Sequence, residues 1–246
     1  MKFKNKINYL IGFKMFQIQV NLTFKPLFMQ EIDFHTHHFK SETNIQILNI
    51  FAQDLPFPNE KSYYSAGIHP WHIGLADPEE CLRSIELATG EKNMLAVGEC
   101  GLDRLRPIDF AQQELYFMKQ IEIAQKYSKP LIIHCVRAFP ELMKLKKETK
   151  SSIPWIIHGF QGNQQTAMQL ISHDFYFSVG NSLLSNQFKS DILNLIPSNR
   201  LFLETDDKEI SITEIYSLAT QILKLEYETL GGIIHENFKR IFGKVE

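Results

Sequence analysis

The chain has 246 residues, 44% of them hydrophobic and 22% charged, with a formal net charge of −2; one closed α/β barrel has about this length. The near-neutral balance excludes whole-molecule attraction to nucleic acid or to an anionic membrane, so a phosphate-bearing substrate has to be held locally. Cys81, Cys100 and Cys135 show no CxxC spacing and read as reduced thiols of a cytoplasmic protein, and no apolar run is long enough to span a membrane.

In chain order, residues 1–28 come first, where Lys2, Lys4, Lys6, Lys14 and Lys25 interrupt short apolar pieces. A signal peptide needs an unbroken apolar region and a small-residue cleavage site, and neither is present. The segment is expected to be a disordered extension, or an upstream start with Met29 as the biological initiator. Eight short runs rich in Ile, Val, Leu, Phe and Tyr follow: Glu31–Thr36, Ile45–Phe51, Tyr63–Ile68, Met94–Glu99, Pro130–His134, Pro154–His158, Asp174–Val179 and Arg200–Glu204. Continuous apolar runs of this length suit buried parallel strands.

Helical patterns separate most of these runs. Asp109 is placed to cap a helix with Gln112 as its reciprocal partner, and Leu115, Met118, Ile121 and Ala124 form the expected buried stripe. Ser211 to Glu214 reads as a capping box for a helix reaching about Glu228. Gly231-Gly232 is expected to break the chain before a last short helix, Ile233 to Phe242. The connection from His38 to Asn44 is too short for a full helix. The fold expected is one (β/α)8 TIM-type barrel domain over residues 29–246, lacking its first helix.

Polar residues cluster where the apolar runs stop, and in such a barrel those strand ends form the active-site face. His35 and His37 are two apart on the first strand and so share a face. Glu99 ends an apolar strand between glycines, which is costly for a carboxylate unless it is paired or bound to a cation. His134 and His158 each follow two isoleucines, and Asp206 follows the eighth run. Taken singly, each has a bland explanation: a satisfied core histidine, a buried partner for an arginine, a helix cap. All six on one rim point to metal binding. Four imidazoles and two carboxylates exceed one tetrahedral shell and suit two divalent ions, Zn2+, Mn2+ or Mg2+, with a bridging carboxylate.

In order, Asp33-x-His35-x-His37, Gly67-Ile-His69-Pro70, Gly98-Glu99-x-Gly-Leu-Asp103, Ile133-His134, His158-x-Phe160-x-Gly162 and Glu204-Thr205-Asp206 resemble the TatD family of metal-dependent deoxyribonucleases, amidohydrolase-type barrels. Glu236-Asn237-Phe238 to Phe242 resembles that family's closing helix, so the resemblance runs from about Met29 to Phe242. It implies that His35 and His37 hold one metal, completed by Asp206, and that His134 and His158 hold the second. Glu99 would bridge the two, Asp206 would take a proton from the attacking water, and His69 would lie near the scissile phosphate. Asp33 and Asp103 read as supporting carboxylates. The sequence departs from the family pattern at Val136-Arg137, at Gly159-Phe160-Gln161-Gly162 and at Asp207-Lys208. All three departures fall on substrate-facing loops.

The function expected is a phosphodiesterase or deoxyribonuclease using a metal-bridged hydroxide, with Asp206, Glu99 and His69 as the catalytic residues. The loop departures keep open an amide, ester or lactone hydrolase on the same centre. A non-catalytic metal-binding barrel is the third reading, disfavoured because all six ligand positions are filled. Composition is compatible with a monomer.

Overall fold

The computed structural model describes residues 30–39, 44–57, 62–184 and 190–243. The expectations for residues 1–28 and for Met29 lie outside them. Each of the eight apolar runs forms a strand: β1 (Ile32–Thr36), β2 (Ile45–Phe51), β3 (Tyr63–Gly67), β4 (Met94–Asp103), β5 (Leu131–Val136), β6 (Trp155–Ile157), β7 (Tyr176–Val179) and β8 (Leu201–Leu203). They lie side by side in sequence order, and every neighbouring pair is parallel. Around them run α1 (Pro78–Ala88), α2 (Phe110–Lys126), α3 (Phe139–Thr149), α4 (Gln164–Ser172), α5 (Ser190–Leu195), α6 (Ile212–Leu223) and α7 (Tyr227–Phe242). No helix occurs between β1 and β2 among the described residues, as their short connection demands.

The barrel closes at its carboxyl end. β8 meets β1 through one bridge, Thr36 with Asp206, in which the Asp206 amide donates to the His35 carbonyl (2.9 Å) and the His37 amide to the Asp206 carbonyl (3.1 Å). Asp33 reinforces the seam by accepting from the Thr205 amide (2.9 Å) and hydroxyl (2.6 Å). The closure thereby sets His35, His37 and Asp206 at fixed mutual positions. On the outer face Phe34 stacks on Phe202, with ring centroids 4.4 Å apart, beneath Phe242 of α7. Buried Asn237 ties α7 to the start of β8, donating to the carbonyls of Ser198 (2.7 Å) and Leu201 (2.8 Å).

Three expectations need correction. β4 runs past Glu99 to Asp103, because it stays paired with β5 out to Asp103–Val136. The chain breaks before α7 at Lys224, whose φ of 54° ends α6, and not at Gly231-Gly232, which lie inside α7. Gly231 is buried there, so tertiary packing overrides the cost of about 1 kcal/mol that an interior glycine carries. Asp109 does cap α2, accepting from the Ala111 amide (3.1 Å), but Leu115 of the expected stripe is exposed.

The face of α2 turned to the barrel instead carries Gln113, Phe117, Gln120, Ile121 and Ala124. The two glutamines are buried because they satisfy strand-end backbone. Gln120 accepts from the Ile68 amide (2.7 Å) and donates to its carbonyl (3.2 Å), while Gln113 does the same for Asp103 (2.8 and 3.1 Å). Replacing Gln120 with leucine should leave both Ile68 groups unpaired in the interior, at about 1–3 kcal/mol. Urea denaturation of the variant would show this as a lowered midpoint, and an unchanged midpoint would mean the pair is dispensable.

Candidate metal centre

Glu99 organises the site. It sits at the register shift between β4 and β5, flanked by Gly98 (φ +146°) and Gly101 (φ +138°). A Cβ on either glycine would lie about 2 Å from a carbonyl oxygen of the neighbouring strand, Ile132 or His134, so only glycine lets β4 come this close and turn Glu99 inward. Asn49 of β2 holds the residue from the other side, its side-chain Oδ1 accepting from the Glu99 amide at 2.8 Å.

The two carboxylate oxygens of Glu99 face different partners. Oε2 lies 3.6 Å from His35 Nε2 and 3.5 Å from His37 Nε2, and Asp206 Oδ1 lies 3.7 and 3.5 Å from the same two nitrogens. Oε1 lies 2.9 Å from His69 Nε2, 2.9 Å from His134 Nδ1 and 2.7 Å from His158 Nε2. The structure therefore brings together all six expected ligand residues, together with His69. It places His69 in one donor cluster with His134 and Glu99, and places His158 in a second with His35 and Asp206. His158 thus faces both sides of the centre.

The donor set fits a divalent cation. His35 is fully buried, yet neither of its ring nitrogens has a hydrogen-bond partner. A buried imidazole with both nitrogens unpaired is costly in a purely structural cluster and natural for a ligand. Spacings of 3.5–3.7 Å among His35, His37, Glu99 and Asp206 are long for hydrogen bonds. They are close to the edge of about 3.4 Å that four ligands at about 2.1 Å make around a tetrahedral ion.

Electrostatics agree. Burial alone would push the His37 imidazole down, but Asp206 and Glu99 outweigh it and raise its pKa to about 9. Burial likewise opposes ionisation of Glu99, yet the facing His158, His69 and His134 hold it well below the usual carboxylate range. The field that favours imidazolium here also draws a cation. His69 differs: burial outweighs Glu99 and lowers it to about 4. Its Nδ1 accepts from the Trp71 amide (3.1 Å), which leaves Nε2 to carry the proton toward Glu99. His69 is thus a neutral hydrogen-bond donor at pH 7.

Behind the candidate ligands stand supporting groups. Asp103 Oδ2 accepts from Trp71 Nε1 (2.6 Å) and lies 3.2 Å from His134 Nε2. Burial would raise its pKa, but the bonds from His134, Trp71 and the Leu105 amide bring it down to about 2. Glu204, buried, accepts from the Gly159 amide (2.6 Å) and lies 3.5 Å from His158 Nδ1. The sequence alone assigned no role to Glu204, Asn49 or Gln120. The signal for Asn49 and Gln120 was a side-chain amide on an otherwise apolar strand or helix face. Glu204→Gln removes the charge behind His158 and should weaken metal affinity about 10–100-fold. Titration against a competing chelator would measure this, and an unaltered affinity would remove Glu204 from the site.

The TatD related DNase family matches residues 33–243. YabD of Bacillus subtilis, named as an uncharacterized metal-dependent hydrolase, is 30% identical over 200 residues, 73% of this chain and 77% of its own length. The 3′-5′ ssDNA/RNA exonuclease TatD of Escherichia coli K12 is 28% identical over 209 residues, 78% of each chain. Among solved structures, YjjV, a TatD homologue from E. coli K12, superposes with a TM-score of 0.76 at 18% identity, covering 88% of this chain and 99% of its own, a likeness of fold. With the family matched along nearly the whole barrel, the chain belongs to the TatD-related DNases.

Proposed function

We propose that the chain is a divalent-metal-dependent phosphodiesterase acting on nucleic acid, DNA foremost, with two ions held on either side of Glu99. The observation that supports this most directly is the division of the Glu99 carboxylate: Oε2 toward His35 and His37, Oε1 toward His69, His134 and His158. Zn2+, Mn2+ and Mg2+ are all compatible with this mixed nitrogen and oxygen set. When bound, such ions act as Lewis acids that bring the pKa of a water near neutrality and polarise phosphoryl oxygens.

The chain's own residues do the rest. Asp206 Oδ accepts the proton of the attacking water, since its side chain is 28% exposed while the neighbouring donors are more deeply buried. The seam between β1 and β8 fixes its carboxylate against His35 and His37. His69, neutral, offers a hydrogen bond at Nε2 to the phosphoryl group or the leaving oxygen. Asp103, bonded to His134, and Glu204, 3.5 Å from His158 Nδ1, support those rings from behind, so little reorganisation accompanies reaction.

A cytoplasmic location is part of this reading: Cys81, Cys100 and Cys135 are free thiols, and no helix among the described residues is long and apolar enough to cross a membrane. The test is hydrolysis of an aryl phosphodiester against an aryl ester with added Mn2+ or Mg2+. Metal-dependent cleavage of the diester is expected. Turnover of the ester alone would favour the carbonyl-directed alternative, which rests on the departures at Val136-Arg137 and Asp207-Lys208. Metal binding with turnover of neither would favour a non-catalytic barrel.

A further inference from the structure

The geometry points to a nucleobase-stacking subsite formed by Trp71 and Arg106 at the mouth of the metal centre. This inference rests on the phosphodiesterase reading and adds to it the part of the substrate that is recognised. Trp71 is 40% exposed on the connection after β3. Its ring lies edge-on to His69 and His134, with centroids 4.9 and 5.5 Å away, so it borders the donor cluster directly. Its Nε1 is fixed to Asp103. Arg106, exposed on the connection after β4, lays its guanidinium over the Trp71 ring at 3.6 Å.

Arg106 differs from its neighbour Arg104. Arg104 is ion-paired with Glu141, whereas Arg106 pairs with no carboxylate among the described residues. It is therefore a cation resting over an aromatic ring, beside the reaction centre, with its charge available. In a chain of net charge −2 such a local cation is what holding a phosphate requires. The surroundings suit a base. Leu75 and Leu105 are also large, apolar and exposed, and they lie on the same two connections as Trp71 and Arg106, leaving the carboxyl ends of β3 and β4. An aromatic platform, a stacked guanidinium and an apolar rim match the π-face and adjacent phosphate of a single nucleotide.

The test uses the full chain loaded with its metal and two ligands with the same phosphate, deoxyadenosine 5′-monophosphate and 2-deoxyribose 5-phosphate. The protein has two tryptophans, and Trp155 is fully buried with Nε1 bonded to Ser151, so quenching by a stacked base reports Trp71. Saturable quenching by the nucleotide is expected, with the base-free sugar phosphate binding about tenfold or more weakly in displacement titrations. Arg106→Ala should lower that ratio toward one, by about fivefold or more. Equal affinity for the two ligands in the wild type, or an Arg106→Ala variant that weakens both by one factor, would overturn the subsite. Phosphodiester hydrolysis, run in parallel, separates the two failures. Hydrolysis without base selectivity sinks only the subsite, whereas base-selective quenching without hydrolysis sinks the phosphodiesterase reading and leaves the subsite standing.

Discussion

Glu99→Gln should strip the protein of bound metal and of turnover together, with a loss beyond the roughly hundredfold typical of a supporting group behind a metal ligand. The cause is electrostatic. Glu99 is only 3% exposed, and its two oxygens face five imidazoles. Glutamine keeps the shape and can still be held by Asn49 at the backbone amide, so the barrel should survive. What it lacks is the negative charge on which both donor clusters depend, and an amide NH2 would point at an imidazole where an acceptor is needed. Elemental analysis before and after the substitution, alongside phosphodiesterase assay, measures both effects. A variant that keeps its metal and turns over at the wild-type rate would show that Glu99 is a structural carboxylate and that the centre lies elsewhere.

Asp206→Asn should behave differently. Its expected effect is a fall in turnover of about 10²–10⁴-fold, the range associated with a positioned proton acceptor, with much of the metal retained by the remaining donors. Burial works against ionisation of Asp206, but the hydrogen bond from His37 and the charges of His158 and His35 outweigh it and hold its carboxyl well below the usual range. It therefore accepts protons throughout the neutral range, and no acid limb in a pH–rate profile near pH 6–8 should belong to it. Asparagine has nearly the same volume and leaves the seam intact, because that seam uses the Asp206 backbone, through the His35 carbonyl and the His37 amide. Single-turnover measurement at saturating metal separates lost proton transfer from lost metal. Near-native turnover would remove Asp206 from the chemistry.

Much of this site is legible in the amino-acid sequence. Strand interiors of this barrel are apolar, so a histidine or carboxylate at the end of an apolar run stands out: His35, Glu99, His134, His158 and Asp206 all lie where such a run stops. The side-chain period of two within a strand puts His35 and His37 on one face. Capping chemistry locates the starts of α2 and α6, because Asp109 and Ser211 act on amides two residues away. These are local signals, written in composition and spacing.

The features that local signals misjudge are decided by groups far apart in the chain. Leucine and methionine are the default core-facing residues of a helix, yet α2 turns Gln113 and Gln120 inward, because the buried backbone at the ends of β3 and β4 needs partners that only tertiary packing brings within reach. Gly231-Gly232 would break an isolated helix, but the docked face of α7 holds it together. Trp71 and Arg106 carry no pattern linking them, and they meet only because the connections after β3 and β4 emerge side by side. By itself the sequence located the eight strands and the residues with chemistry to offer, since each depends on neighbours within one turn or strand. Barrel closure alone decided which oxygen of Glu99 faces which imidazole, because distances between strands follow from the register and bulges of the whole sheet, not from any one segment of it.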